Sequence, residues 1–143
     1  FETNSVAHDM LHAASLNNYD IEVENRIGDF EFTQELNNIK IEYAKFKQAI
    51  LNQVNNNSEN IEINVIHREE IYIFIEKLRD KYCINNDDYI ILEEKTKDLD
   101  ILLINYGMYM KNRDEENILD SSNKVEMTID EIFIILNRFK ENN

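Results

Sequence analysis

The fold is decided by residues 89–110, whose sequence is YIILEEKTKDLDILLINYGMYM. One set of residues in this stretch recurs at alternating spacings of three and four: Tyr89, Leu92, Thr96, Leu99, Leu103, Tyr106 and Met110. Side chains at these spacings lie on one face of an α-helix. The stretch therefore predicts a long helix that buries one face.

A second stretch has the same spacing and offers a matching face: Phe32, Leu36, Ile39, Tyr43, Phe46 and Ile50. We expect an all-α protein, an antiparallel bundle of four long helices with a short N-terminal helix. Short connections place successive helices side by side in opposite directions, which gives the antiparallel order. The expected long helices are 19–54, 64–83, 88–116 and 128–141, and the short one is 5–16.

The composition agrees with long helices joined by polar loops. The 143 residues include no Pro and only two Gly, so the residues that break helices and form tight turns are scarce. A chain of this length buries about 70% of the surface of its unfolded state, which suffices for one core. We therefore expect a single helical-bundle domain over residues 1–143.

Local signals predict where the helices begin and end. The pair Asn17 and Asn18 predicts a break after the short helix, and Gly28 lies where the phase of the apolar residues changes. Thr128 and Glu131 have the spacing of a capping box, in which each side chain bonds the backbone N–H of the other residue. The polar stretch 120–123 before them is then a loop.

Helix and strand compete at one place in the sequence. Ile61, Ile63 and Val65 alternate with polar residues, as in a strand, before helical spacing takes over. No second alternating run is present to pair with them, and an isolated strand is not stable. We therefore predict a helix from residue 64. Residues 85–88 form the next loop and an acidic cap, which suits the positive end of a helix dipole.

The charge of the chain limits its partners. A formal net charge of -14 arises from 29 acidic and 15 basic residues, and the basic residues are scattered singly. A phosphate backbone would be repelled, so we predict no nucleic-acid partner. Cys83 is the single cysteine, which excludes an internal disulfide, and its place after an apolar run predicts a buried or half-buried thiol.

Targeting segments are not visible in the sequence. No run approaches the roughly 18 apolar residues of a membrane-spanning helix. No secretory signal peptide is recognisable either. Because the sequence starts at Phe1 and not at Met, we interpret it as a processed form or a fragment whose targeting signal lies upstream.

No motif indicates an enzyme. His8 and His12 lie four residues apart, a spacing that could direct two ligands to one zinc ion, but no recognisable third ligand follows. His67 is predicted to be a surface residue. Neighbouring carboxylates such as Glu93 and Glu94 point about 100° apart along a helix, so they do not converge on one site. We expect no catalytic residue, metal, cofactor or small-molecule substrate.

The sequence contains more apolar residues than four helical stripes require. Runs at 71–75, 89–92, 101–104 and 132–136 place apolar side chains nearly all round their helices. A helix at the centre of the bundle would bury such residues. A face that docks on a partner, or a bundle that opens to lay its core on a membrane, would use them as well.

The composition is typical of malaria-parasite proteins, with 21 Asn, 21 Ile, many Lys, Asp and Glu, and the run Asn55 to Asn57. A small helical bundle of this composition without a catalytic motif resembles the sporozoite microneme proteins that are essential for cell traversal. The resemblance implies secretion from micronemes, no enzymatic activity and a role in passage through host cells. Slime-mould, clostridial and large-virus proteins share the compositional bias.

Two functions follow from these observations. The first is a secreted host-cell traversal factor that acts on a host-cell membrane or a host protein after the bundle opens. Gly28 and Gly107 are then candidate hinges, and Thr96 is a candidate weak point on the apolar seam. A close crossing of a neighbouring helix is the favoured alternative explanation for Gly107. The alternative is an intracellular or viral interaction module that binds a partner helix in a groove.

Overall fold

The computed structural model of the protein describes residues 6–56, 65–83 and 85–141, with side chains from Gly28 onward in these ranges. The described residues form four α-helices and no strand, so the all-α prediction is confirmed. The helices are α1 Val6–Asn55, α2 Val65–Tyr82, α3 Asn86–Lys111 and α4 Glu115–Glu141. Residues 61–64 of the competing strand lie outside the described ranges, and Val65 is helical.

The chain divides into two compact units, Phe1–Gln34 and Glu35–Asn143. In the first unit the described residues belong to α1. The second unit contains the rest of α1 together with α2, α3 and α4, and it is the helical bundle. The candidate site lies in this second unit.

Ion pairs between α1 and α2 show that these helices run in opposite directions. The Lys81 ammonium lies 3.7 Å from a carboxylate oxygen of Glu35, and His67 lies 2.9 Å from Glu42. The earlier residue of α1 thus pairs with the later residue of α2. Only three residues separate α2 from α3, and three separate α3 from α4, so these pairs are antiparallel as well.

The core is built from one apolar stripe on each helix. The buried side chains include most of both predicted seams: Ile39, Tyr43, Phe46 and Ile50 on α1, and Leu92, Leu99, Leu103 and Tyr106 on α3. Ile71, Ile75, Leu78 and Tyr82 of α2 and Val125, Ile129, Ile132, Leu136 and Phe139 of α4 complete it. Tyr89, the first residue of the α3 seam, is exposed, because it lies in the first turn of the helix.

The predicted start of the last helix is wrong. The helix begins at Glu115, and the expected loop 120–123 is helical. Thr128 does not form a capping box, because its hydroxyl donates to the carbonyl of Lys124, 2.8 Å away, one turn earlier in the same helix. Ser121 and Val125 are buried at a spacing of four, so the core-facing stripe continues through the predicted loop.

The predicted break at Asn17 and Asn18 is also wrong. The short N-terminal helix is the first part of α1, which continues through both asparagines and through Gly28. Asn costs only a fraction of 1 kcal/mol inside a helix relative to Ala. α1 contains no Pro, the residue that would stop it.

The end of α3 and the start of α4 are fixed by a tight turn. Arg113 has a φ of 55°. The N–H of Arg113 donates to the carbonyl of Met110, and the N–H of Asp114 to that of Tyr109. This is a Schellman motif, which ends α3 five residues before the predicted boundary. Asp114 then caps α4, because its carboxylate accepts from the backbone N–H of Asn117 at 3.4 Å.

We predict that Gly is better tolerated at Arg113 than at its neighbour Asn112. Arg113 has a left-handed backbone, whereas Asn112 has a φ of -83°. Glycine relieves the steric cost of a positive φ, and at Asn112 it only adds freedom to the unfolded chain. The free energy of unfolding of Arg113→Gly should exceed that of Asn112→Gly by about 1 kcal/mol. Urea unfolding of both variants measures the difference, and equal values would contradict the role of the turn.

Candidate binding surface

Thr96 and Gly107, two of the three predicted hinge or weak positions, lie on the same helix, α3. Gly28 belongs to the first unit, and Thr96 and Gly107 belong to the second. Thr96 is half-buried, and its hydroxyl donates to the carbonyl of Leu92 at 2.7 Å. Gly107 is buried within α3, and neither glycine has a positive φ. A hinge role for these residues stays a prediction.

His67, predicted to be a surface residue, keeps 28% of its side chain exposed. It lies at the start of α2, and its Nδ1 is 2.9 Å from Oε2 of Glu42 on α1. The sequence indicates the burial of Glu42 alone, because Glu42 lies three residues after Ile39 and four before Phe46 on the buried face of α1. The side chains of His8 and His12 lie outside the described residues.

Glu42 is a buried carboxylate with two side-chain partners, Lys45 and His67. Lys45 donates to its Oε1 at 3.2 Å, and His67 contacts its Oε2. Burial acts to raise the pKa of Glu42, but the hydrogen bonds from His67 and Lys45 outweigh it and hold this pKa below the usual value. Glu42 is therefore ionised at neutral pH and attaches α2 to α1.

A second polar cluster attaches α2 to α3. Arg68 donates to Oδ1 of Asp100 at 2.7 Å, and the hydroxyl of Tyr72 donates to the same oxygen. Burial and the neighbouring Asp100 charge raise the pKa of Tyr72, so the phenol stays protonated as the donor. Two turns after Tyr72 on α2, Arg79 pairs with Glu93 and lies 4.8 Å from the ring centre of Tyr89.

These clusters are ion pairs and hydrogen bonds between helices. Within the described ranges, no three His, Cys, Asp or Glu side chains are placed to hold a metal ion. Cys83 is half-buried, as predicted, and its thiol lies 3.4 Å from the carbonyl oxygen of Asn85. The polar clusters therefore hold α2 against α1 and α3.

A groove between α3 and α4 is the strongest candidate. It encloses about 340 Å³ and is lined by Asp98, Ile101 and Leu102 of α3 and by Lys124, Met127, Thr128 and Glu131 of α4. Ile101 is 57% exposed and Met127 is 62% exposed. Large apolar side chains are thus open to solvent on both sides of one groove, the arrangement found at binding sites.

A groove between α1 and α4 differs in one important respect. It encloses about 370 Å³, but lysine side chains cover the aromatic rings beside it. The Lys47 ammonium lies 4.5 Å from the ring centre of Tyr43, and that of Lys40 lies 5.3 Å from the ring of Phe133. These cation–π contacts already occupy the apolar surface. The groove between α3 and α4 keeps its apolar residues uncovered.

Ion pairs lie along the groove between α3 and α4. Lys95 pairs with Glu131 across the groove, and Lys124 lies 3.1 Å from Asp120 one turn earlier in α4. The hydrogen bond and charge of Glu131 raise the pKa of Lys95, and Asp98 adds to this effect through space. Both lysines at the groove therefore have an acidic partner.

Comparison with models of protein families, with curated proteins and with solved structures found no match. In the described part of the chain, no helix has the length and apolar character that crossing a membrane requires.

We predict that acid destabilises the bundle through Glu42. Its pKa is lowered by folding from a model-peptide value of 4.5, so the unfolded chain binds a proton more readily than the folded one. The resulting stabilisation is complete above that value and is lost as the pH falls through the folded pKa. Urea unfolding at a series of pH values, from neutral pH to below the folded pKa of Glu42, should show that the free energy of unfolding falls as the pH is lowered.

The variant Glu42→Gln tests the assignment. It should unfold about 1–3 kcal/mol more easily at neutral pH, because His67 and Lys45 lose their charged partner. The free energy of unfolding of this variant should also fall less steeply as the pH is lowered. Glu69→Gln is the matched control, because Glu69 is exposed on α2. An acid dependence in Glu42→Gln as steep as in the control would refute the role of Glu42.

Proposed function

We propose that the protein is a non-enzymatic interaction module that binds a helix of a partner protein in the groove between α3 and α4. The observation that carries the proposal is the pair Ile101 and Met127, which lie on opposite sides of this groove with more than half of each side chain exposed. Amphipathic helices bind apolar grooves of this kind through side chains spaced three, four and seven residues apart.

The exposed apolar residues continue along both helices. Met108 follows Ile101 by seven residues on α3, and Ile134 follows Met127 by seven on α4. They are 45% and 59% exposed, respectively. Residues seven apart lie two turns apart on the same face. These four residues, here called the apolar rim, offer contacts to a partner helix over several turns.

The antiparallel packing of α3 and α4 lengthens the rim. Met108 lies toward the end of α3, beside the start of α4, whereas Ile134 lies toward the opposite end of the bundle. Ile101 and Met127 lie between them. A partner helix of about four turns would then cover the rim, since each turn advances about 5.4 Å.

A second proposal is a secreted protein that acts in host-cell traversal through membrane contact after the bundle opens. It is supported by exposed apolar side chains apart from the rim, such as Ile66 at the start of α2, which is 70% exposed. The partner would then be a host-cell membrane or a host protein.

We predict that Met127→Glu weakens the binding of designed amphipathic helices. Three labelled peptides would share one leucine face and carry a basic, a neutral or an acidic polar face. At least one should bind the full chain, as measured by fluorescence anisotropy. Met127→Glu should weaken this binding at least about tenfold, because it places a charge in the apolar centre of the rim.

Ile66→Glu is the matched control, since Ile66 is exposed on α2 and is not part of the rim. It should leave peptide binding unchanged. Co-sedimentation with phosphatidylcholine vesicles and dye leakage test the membrane proposal on the same variants. Vesicle binding with leakage but no peptide binding would reject the groove and support membrane contact. Equal peptide binding by wild type and Met127→Glu would also reject the groove.

A further inference from the structure

Carboxylates dominate the surface around the groove. Asp98 lies three residues before Ile101, and Glu94 lies four residues before Asp98, so the three residues share one face of α3. On α4, Asp120 and Glu131 lie on either side of Met127, each within two turns of it. The apolar rim is therefore bordered by acidic side chains on both helices.

The lysines at the groove do not reverse this charge. Lys95 is paired with Glu131, and Lys124 is paired with Asp120. Each lysine compensates one carboxylate. Asp98 lines the groove and Glu94 lies one turn before it, and both act on Lys95 only through space. Asp98 lies one turn before Ile101 and Glu94 lies two turns before it, and no cation among the described residues is in direct contact with either carboxylate.

The charge of the whole chain acts in the same direction. A formal net charge of -14 produces a negative potential that attracts cations and repels anions at long range. A second copy of the chain, an acidic protein and an anionic lipid surface would each be repelled from the groove. A partner helix with Lys or Arg beside its apolar face would be attracted.

We infer that the occupant of the groove is a basic amphipathic helix, whose apolar face contacts Ile101 and Met127 and whose Lys or Arg side chains pair with Asp98 and Glu94. This inference rests on the proposed function and adds the chemistry of the partner. Apolar contact supplies most of the affinity, and the carboxylates select the partner and accelerate its association. Arg can form a bidentate pair with each carboxylate.

The test compares the binding of the three designed peptides to the 143-residue chain. Affinity should fall from the basic through the neutral to the acidic peptide. Added salt should weaken binding of the basic peptide and leave the neutral one nearly unchanged, because salt screens exposed charges. The double variant Glu94→Gln with Asp98→Asn should weaken the basic peptide about two- to tenfold and leave the neutral one unchanged.

Glu69→Gln with Glu70→Gln is the matched control, because it removes the same charge from α2. It should affect the basic peptide less than the groove variant does. Equal affinity for basic and neutral peptides would overturn the inference and leave the proposed function intact. A basic peptide that binds Met127→Glu as well as wild type would show general charge attraction and overturn both, and so would the absence of any peptide binding.

Discussion

Burial of one apolar stripe on each helix is the interaction on which the rest of the structure depends. Ile39, Leu99 and Leu136 have no measurable exposure, and residues of the same kind surround them on all four helices. Full burial of such a side chain contributes about 1.5–3 kcal/mol. Ordering a long helix costs about 1–2 kcal/mol per residue in backbone entropy, so no helix of this bundle is stable without its neighbours. The polar contacts and the groove exist only because this core holds the helices in place.

The four helices are attached in different ways. α2 contacts its neighbours through charged groups such as Glu42 and Asp100 as well as through its stripe. Removing one partner of a half-buried pair leaves the other without its hydrogen bond, which costs free energy. A different register of α2 would separate these pairs and would be less stable for the same reason. α3 and α4 pack through their stripes, with the Lys95–Glu131 pair at the edge of the contact. The solvent-facing sides of α3 and α4 are therefore free to carry apolar residues at the groove.

The sequence predicted the stripes well, because the period of a helix determines which side chains meet the core whatever the neighbouring helix is. It predicted helix boundaries less well. Thr128 and Glu131 have the spacing of a capping box, but Thr128 lies inside α4, because the core-facing side of α4 is already buried in the turns before it. The Glu42–His67 pair joins residues of two helices, and no local pattern defines which residues meet across a bundle. The groove was not predictable either, since exposure of Ile101 depends on where α4 lies.

The acidic surface and the exposed apolar rim have opposite effects on association, and together they restrict it. Exposed side chains such as Met127 favour self-association through apolar contact, whereas a charge of -14 opposes the approach of a second copy. A partner gains from both features only if it brings apolar surface and positive charge at once. Ile66, an exposed apolar residue of α2, is not among the residues that line this groove. The groove between α3 and α4 is therefore the part of the described surface where shape, apolar contact and charge favour the same class of partner.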